Sequence, residues 1–93
     1  MSATFDTQGS WALDHRVALR PESFGALAYH FGTRRLSFLK HPQLVAVLEA
    51  LAEHESAQDA MHATGVAPER RAAITRALAT LADSGMIVPR SAQ

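Results

Sequence analysis

Between Trp11 and Leu19 apolar and polar positions alternate: Trp11, Leu13, His15, Val17 and Leu19 fall on one side, with Ala12, Asp14, Arg16 and Ala18 between them. Period two over this stretch predicts a half-buried strand. Arg20-Pro21-Glu22-Ser23 is expected to end it, because proline donates no ladder hydrogen bond and restricts the residue before it. Phe24 to Lys40, FGALAYHFGTRRLSFLK, continues as a hairpin. Gly32-Thr33 suits a two-residue type II′ turn, with glycine at the position of positive φ. That turn sets Phe31 opposite Arg34, His30 opposite Arg35, Tyr29 opposite Leu36, Ala28 opposite Ser37, Leu27 opposite Phe38 and Ala26 opposite Leu39. One face then carries Leu27, Tyr29, Leu36 and Phe38, the other Ala26, Ala28, His30, Arg35, Ser37 and Leu39. A slip by one residue would mix the two sets. The large apolar set is the expected core face, and the three strands together form an antiparallel meander that needs a cover.

The rest of the pattern is helical. His41-Pro42 opens a helix with Pro42 at its first position, and Leu44, Val45, Leu48, Leu51 and Ala52 recur at helical spacing to about His54. Ser56-Ala57-Gln58-Asp59 is a capping sequence for a short second helix that Gly65 ends. Pro68 opens a third, Glu69 to Ser84, with a stripe of Ile74, Ala77, Leu78 and Leu81, closed by Gly85. Met86-Ile87-Val88 is an apolar return expected to pack on the core. The order β-β-β-α-α-α predicts a small α+β domain of winged-helix type with its strands moved to the front, over residues 11–90. Residues 1–10 read as a flexible N-terminal tail and 91–93 as a C-terminal tail.

Composition narrows the function. Ninety-three residues make one domain with one modest core. Of the 47% hydrophobic residues, 18 side chains are alanine, so the large core-formers are few. Nine basic and nine acidic residues cancel, and a balanced chain offers no general field for nucleic acid or anionic lipid. Absence of cysteine excludes disulfides, thiolate metal sites and a cysteine nucleophile. With no signal-peptide pattern and no apolar run near the roughly 18 residues of a membrane span, the expected setting is cytoplasmic.

Chemistry-bearing motifs are missing. There is no phosphate-binding glycine loop, no G-x-S-x-G and no H-E-x-x-H, so the reading is not an enzyme. The histidines at 15, 30, 41, 54 and 62 share no i, i+3 or i+4 relation that would make a local helical zinc pair; no cofactor is expected. HATGVAPERRAAITRALATLADSGMIVPR, His62 to Arg90, does read like the helix-turn-helix of a winged-helix DNA-binding regulator, with Arg70, Arg71 and Arg76 on the third helix. Against that stand the zero net charge, the absence of a basic wing, and Glu69 and Asp83 at the two ends of that helix. The stronger reading concerns backbone. The last strand of a meander has one free edge, here Arg35 to Lys40, on which an extended peptide can pair as a further strand. Ser37 is the residue whose amide is taken to test that edge. Arg34, Arg35 and Lys40 discourage indiscriminate pairing and suit an acidic ligand.

RVALRPESFGALAYHFGTRRLSFLK, Arg16 to Lys40, closely resembles the peptide chaperones of mycofactocin biosynthesis, through R-P-E, F-G-A-L, Y-H-F-G-T-R-R-L and S-F-L-K. In organisation, Trp11 to Arg90 is also similar to the pyrroloquinoline quinone biosynthesis D protein and to the recognition domains of ribosomally made, modified peptides. The resemblance implies a non-catalytic domain that captures a short ribosomal precursor peptide and presents it to a radical S-adenosylmethionine maturase, which would hold the iron–sulfur chemistry. It implies a leader strand added beside Arg35, Leu36, Ser37, Phe38 and Leu39, with apolar side chains against Arg71, Ile74, Thr75 and Leu78 of the third helix.

Overall fold

A computed structural model describes residues 5–90; residues 1–4 and the tail 91–93 lie outside the described residues. The chain runs through strands Trp11–Leu13 (β1), Val17–Glu22 (β2), Gly25–His30 (β3) and Leu36–Leu39 (β4), then helices Pro42–Ala50 (α1), Ala57–Ala63 (α2) and Arg71–Asp83 (α3), to a fifth strand, Ile87–Pro89 (β5). β2, β3 and β4 form a three-stranded antiparallel sheet in that order, and β1 pairs separately with β5. The fold is small and α+β, a three-stranded antiparallel sheet followed by three helices, as the hydrophobic pattern predicts.

The expected first strand is divided in two. The Asp14 carboxylate accepts hydrogen bonds from the Arg16 amide at 2.8 Å and from Arg16 Nε and Nη2, both at 3.0 Å. The Asp14 carbonyl accepts from Val17 N at 2.9 Å. This side-chain turn redirects the backbone, so Trp11–Leu13 leaves the meander and pairs with the apolar return, Leu13 opposite Ile87 and Trp11 opposite Pro89. Pro21 does not end β2, which continues to Glu22. Phe31 N donates to Arg16 O, and the antiparallel alternation from that bond turns the Pro21 nitrogen away from β3, where no donor is required.

The hairpin register is the predicted one, with Tyr29, Ala28, Leu27 and Ala26 opposite Leu36, Ser37, Phe38 and Leu39. The turn is a different one. His30 N donates to Arg35 O at 2.9 Å and Arg34 N to His30 O at 2.7 Å, which leaves a loop of Phe31, Gly32, Thr33 and Arg34. Arg34, not Gly32, has the positive φ, at 62°. His30 Nδ1 accepts the amides of Gly32 and Thr33, each at 3.0 Å. Both closures oppose the same residues, which is why the register survives the change of turn.

The faces, however, are reversed. Ala26, Ala28, His30 and Leu39 point into the core, each 2% exposed or less, while Leu36 and Phe38 are 54% and 61% exposed. Core volume comes from the helices instead: Leu44, Val47 and Leu48 of α1, and Ile74, Leu78 and Leu81 of α3. Alanine on the inner face of β3 lets α1 pack against that strand, and a second layer of large side chains there would overfill the space.

The remaining elements follow their local signals. Pro42 opens α1, and Ser56 Oγ accepts the Asp59 amide at 3.0 Å to cap α2. Gly65 and Gly85, both at φ 79°, terminate α2 and α3. The described part of the expected N-terminal tail is held in place: Trp11 Nε1 donates to Asp6 O, Gln58 N to Thr7 O, and Ala57 N to Gly9 O. Arg90 fastens the other end of the β1–β5 pair, donating to the carbonyls of Ala52 and His54 from its side chain and to Ser10 O from its amide.

Gly25 sits where β3 begins beside the end of β4. At φ 148°, an added Cβ would lie 2.0 Å from Leu39 O. Gly25→Ala is therefore expected to lower unfolding free energy by about 2 kcal/mol or more, read from the urea midpoint. A second expectation concerns acid. The Arg16 side-chain hydrogen bonds, then the Arg16 amide, hold the Asp14 carboxyl well below the usual carboxylate range, against the opposing effect of burial. A depressed native pKa adds stability above the unfolded value of about 3.9 and loses it as pH falls below that. Urea midpoints should therefore drop on going from about pH 5 to pH 3, and less steeply in Asp14→Asn.

Candidate functional site

β4 has β3 on one side and no strand on the other among the described residues. The bond from His30 N to Arg35 O fixes which main-chain groups face which way. By antiparallel alternation Ser37 and Leu39 turn their amides and carbonyls toward β3, as Arg35 does its carbonyl, while Leu36, Phe38 and Lys40 turn theirs outward; the Arg35 amide donates to Thr33 Oγ1 at 3.3 Å. The Ser37 amide thus belongs to the internal ladder, and Phe38 is the central residue of the open edge.

Beside this edge runs an apolar trough. Ser37, Phe38 and Leu39 line one hollow of about 320 Å³ with Leu44, Ala77, Thr80 and Leu81. A second hollow of about 300 Å³ continues it between the start of α1 and α3, lined by His41, Leu44, Glu69, Arg70, Ala73, Ile74 and Ala77. Leu44 and Ala77 are common to both. Of the α3 positions expected there, Ile74 lies in the trough. Leu78 is fully buried in the core, Thr75 Oγ1 reaches Met61 Sδ of α2 at 3.9 Å, and Arg71 lines neither hollow. The helix instead offers Ala73, Ala77, Thr80 and Leu81, spaced three or four apart on one face. That spacing was the available signal, although alanines in an alanine-rich chain look like filler.

The reversed faces create a second feature. Ala18, Tyr29 and Leu36 form one row across the outside of the sheet, and Arg20, Leu27 and Phe38 the next. Phe24 stands edge-on to Phe38 with ring centroids 6.2 Å apart, and Tyr29 edge-on to Phe31 at 5.2 Å. Arg34, Arg35 and Lys40 are exposed at the margins and form no ion pair among the described residues. An antiparallel sheet with one wet face ordinarily puts polar side chains on it.

Other chemistry is sparse. Among the described residues no three His, Asp or Glu side chains are grouped to hold a metal ion, and no helix is long and apolar enough to cross a membrane. Arg76 on α3 and Arg70 in the turn before it are exposed but share that helix and its approach with Asp83 and Glu69.

Residues 10–88 match the Peptide chaperone MftB family. The chain belongs to that family. It is 54% identical over 86 residues to the peptide chaperone MftB of Mycolicibacterium smegmatis, covering 92% of this chain and 84% of the relative. The proteins of the same name from Mycobacterium ulcerans and Mycobacterium tuberculosis are 47% and 46% identical, over 98% and 96% of this chain and 84% and 82% of theirs. No solved structure matches it. The MftB family is one of peptide chaperones and not of enzymes, in keeping with a surface built from main-chain groups and apolar hollows.

Phe38 and Leu39 are neighbours on opposite faces, which gives a direct test of the geometry. Leu39→Ala should cost about 2 to 5 kcal/mol, as for a buried leucine, whereas Phe38→Ala should cost under about 1 kcal/mol, as for an exposed side chain. Chemical denaturation of the two variants measures both.

Proposed function

We propose that the chain is a non-catalytic chaperone that binds a short ribosomal precursor peptide as an added strand on β4. It presents that peptide to a radical S-adenosylmethionine maturase in mycofactocin biosynthesis. The observation that carries this reading is the coincidence of the open β4 edge with the trough against α3. Outward amides and carbonyls at Leu36, Phe38 and Lys40 supply sequence-independent affinity, and alternate side chains of the guest enter the hollows at Leu44, Ile74 and Ala77. Arg34, Arg35 and Lys40 favour acidic residues near the ends of the paired segment. Arg71, Thr75 and Leu78 take no part in this scheme. The chaperone needs no cofactor of its own, since the iron–sulfur chemistry belongs to the maturase, and it works in the cytoplasm.

This assignment moves the decisive substitution from Ser37 to Phe38. Phe38→Pro removes an outward amide on an edge strand without breaking a bond to β3, and Phe38→Ala removes the same ring but keeps the amide. Calorimetry with the leader segment of the precursor should show Phe38→Pro about tenfold weaker than Phe38→Ala, one main-chain hydrogen bond in free-energy terms. Equal affinities of two folded variants would remove the added strand. Tight binding to random duplex DNA at low salt, with no binding to the leader, would instead favour a regulator.

A further inference from the structure

The outer face of the β2–β3–β4 sheet lies beyond the edge and the trough. Phe31 is 63% exposed, Phe38 61%, Leu36 54% and Phe24 40%, and together they account for all the exposed large hydrophobic residues among those described. With Leu36 and Phe38 on β4, Phe24 in the β2–β3 turn and Phe31 in the hairpin loop, they form along the outer side of the sheet the kind of contiguous patch that marks an interaction surface. Its relief is defined. A hollow of about 510 Å³ lies among Arg20, Phe24, Leu27 and Phe38, and another of about 450 Å³ among Ala18, Tyr29, Phe31 and Leu36. One edge-on pair, Phe24 and Phe38, lines the first, and the other, Tyr29 and Phe31, lines the second.

Charge around the patch is one-sided although the chain is neutral. Residues 14–40 contain five basic side chains and two acidic ones, whereas the remainder contains four basic and seven acidic. Asp14 is paired with Arg16 at 3.0 Å and Glu22 with Arg20 at 2.7 Å, which leaves Arg34, Arg35 and Lys40 as the basic margin. An aromatic centre with a basic margin has the anatomy of a protein interface, apolar in the middle and polar at the rim. Two copies packed face to face would bring like-charged margins together, which opposes a symmetric dimer through this surface. A lipid surface would meet the basic margin too, but it makes no use of the two hollows among the aromatic side chains.

We infer that this outer face docks a folded protein presenting an apolar, acidic-rimmed patch, and that this protein is the maturase that receives the peptide. The inference rests on the chaperone reading for the partner's identity. It goes further in assigning peptide and enzyme to different surfaces of the sheet, one to the edge of β4 and the other to its outward side chains. Phe38 is the one residue common to both, lining the trough and the larger outer hollow.

Phe24→Ser/Phe31→Ser tests the division, because neither residue lies on β4 or in the trough. Urea unfolding first checks that the variant keeps its cooperative transition. Calorimetry is then run with the leader peptide and, separately, with the cognate radical S-adenosylmethionine maturase. The expected result is at least a tenfold loss of maturase affinity with leader affinity unchanged within twofold, and wild-type association with the maturase that weakens as salt is raised. Phe24→Tyr/Phe31→Tyr, which keeps the rings, should retain most of the maturase affinity. Equal maturase binding by wild type and the serine variant, or no maturase binding by wild type while the leader still binds, overturns the docking surface and leaves the peptide site standing. Loss of leader binding by wild type sinks the chaperone reading itself. Two further arms name the competitors: co-sedimentation with vesicles of three parts phosphatidylcholine to one part phosphatidylglycerol, and light scattering at rising protein concentration. Vesicle binding or self-association that the serine variant abolishes, with maturase binding untouched, would assign the face to lipid or to a second copy.

Discussion

Everything about this fold depends on how thin the inner side of β3 is. Ala26 and Ala28 leave room for α1 to lie against the strand, and the leucines and valine of α1 fill the space behind it. At the strand's start Gly25 goes further, with so little clearance to the Leu39 carbonyl that no side chain fits. Pleating then leaves no choice for the residues in between. If alanine is inside, Leu27, Tyr29, Leu36 and Phe38 must be outside. The apolar outer face is thus a consequence of where the helices obtain their packing volume.

Much of this was legible in the sequence because it is local. Capping by Ser56, helix entry at Pro42 and the stops at Gly65 and Gly85 are decided within a few residues. The hairpin register is decided by loop length and survived a wrong turn type. What could not be read depends on tertiary partners. Size alone put Phe38 inside and Ala28 outside, since nothing in the strands reports that three helices already supply enough large side chains. Likewise, Asp14 looked like one more outward position in an alternating run, and its bond to Arg16 is what breaks the strand. Ala77 stands in the apolar stripe of the third helix, but its place in the trough, and Ala73 altogether, were hidden by small size, although a groove needs small residues on its floor. His30 was read as surface and proves to be buried, its ring holding the hairpin loop through two amides.

On the proposed reading, one sheet carries two kinds of recognition. An edge offers main-chain groups that pair with any extended chain, so its selectivity comes from the adjoining hollows and from Arg34, Arg35 and Lys40. A face offers side chains only, and its selectivity comes from relief and rim charge. Both would then meet on β4, where a single short strand would feel two ligands at once. The uneven distribution of charge, concealed by a net of zero, gives the surface an orientation that composition alone does not reveal.

The pairing of Trp11–Leu13 with Ile87–Pro89 joins segments from almost opposite ends of the described chain. Bringing such distant segments together carries a loop-closure cost that the hairpin, closed over four residues, escapes. The β2–β4 meander can therefore assemble before the clasp shuts. Trp11 and Ile87 are buried in the core, so the clasp, late to close, seals the helices behind a recognition surface that the local part of the chain has already laid down.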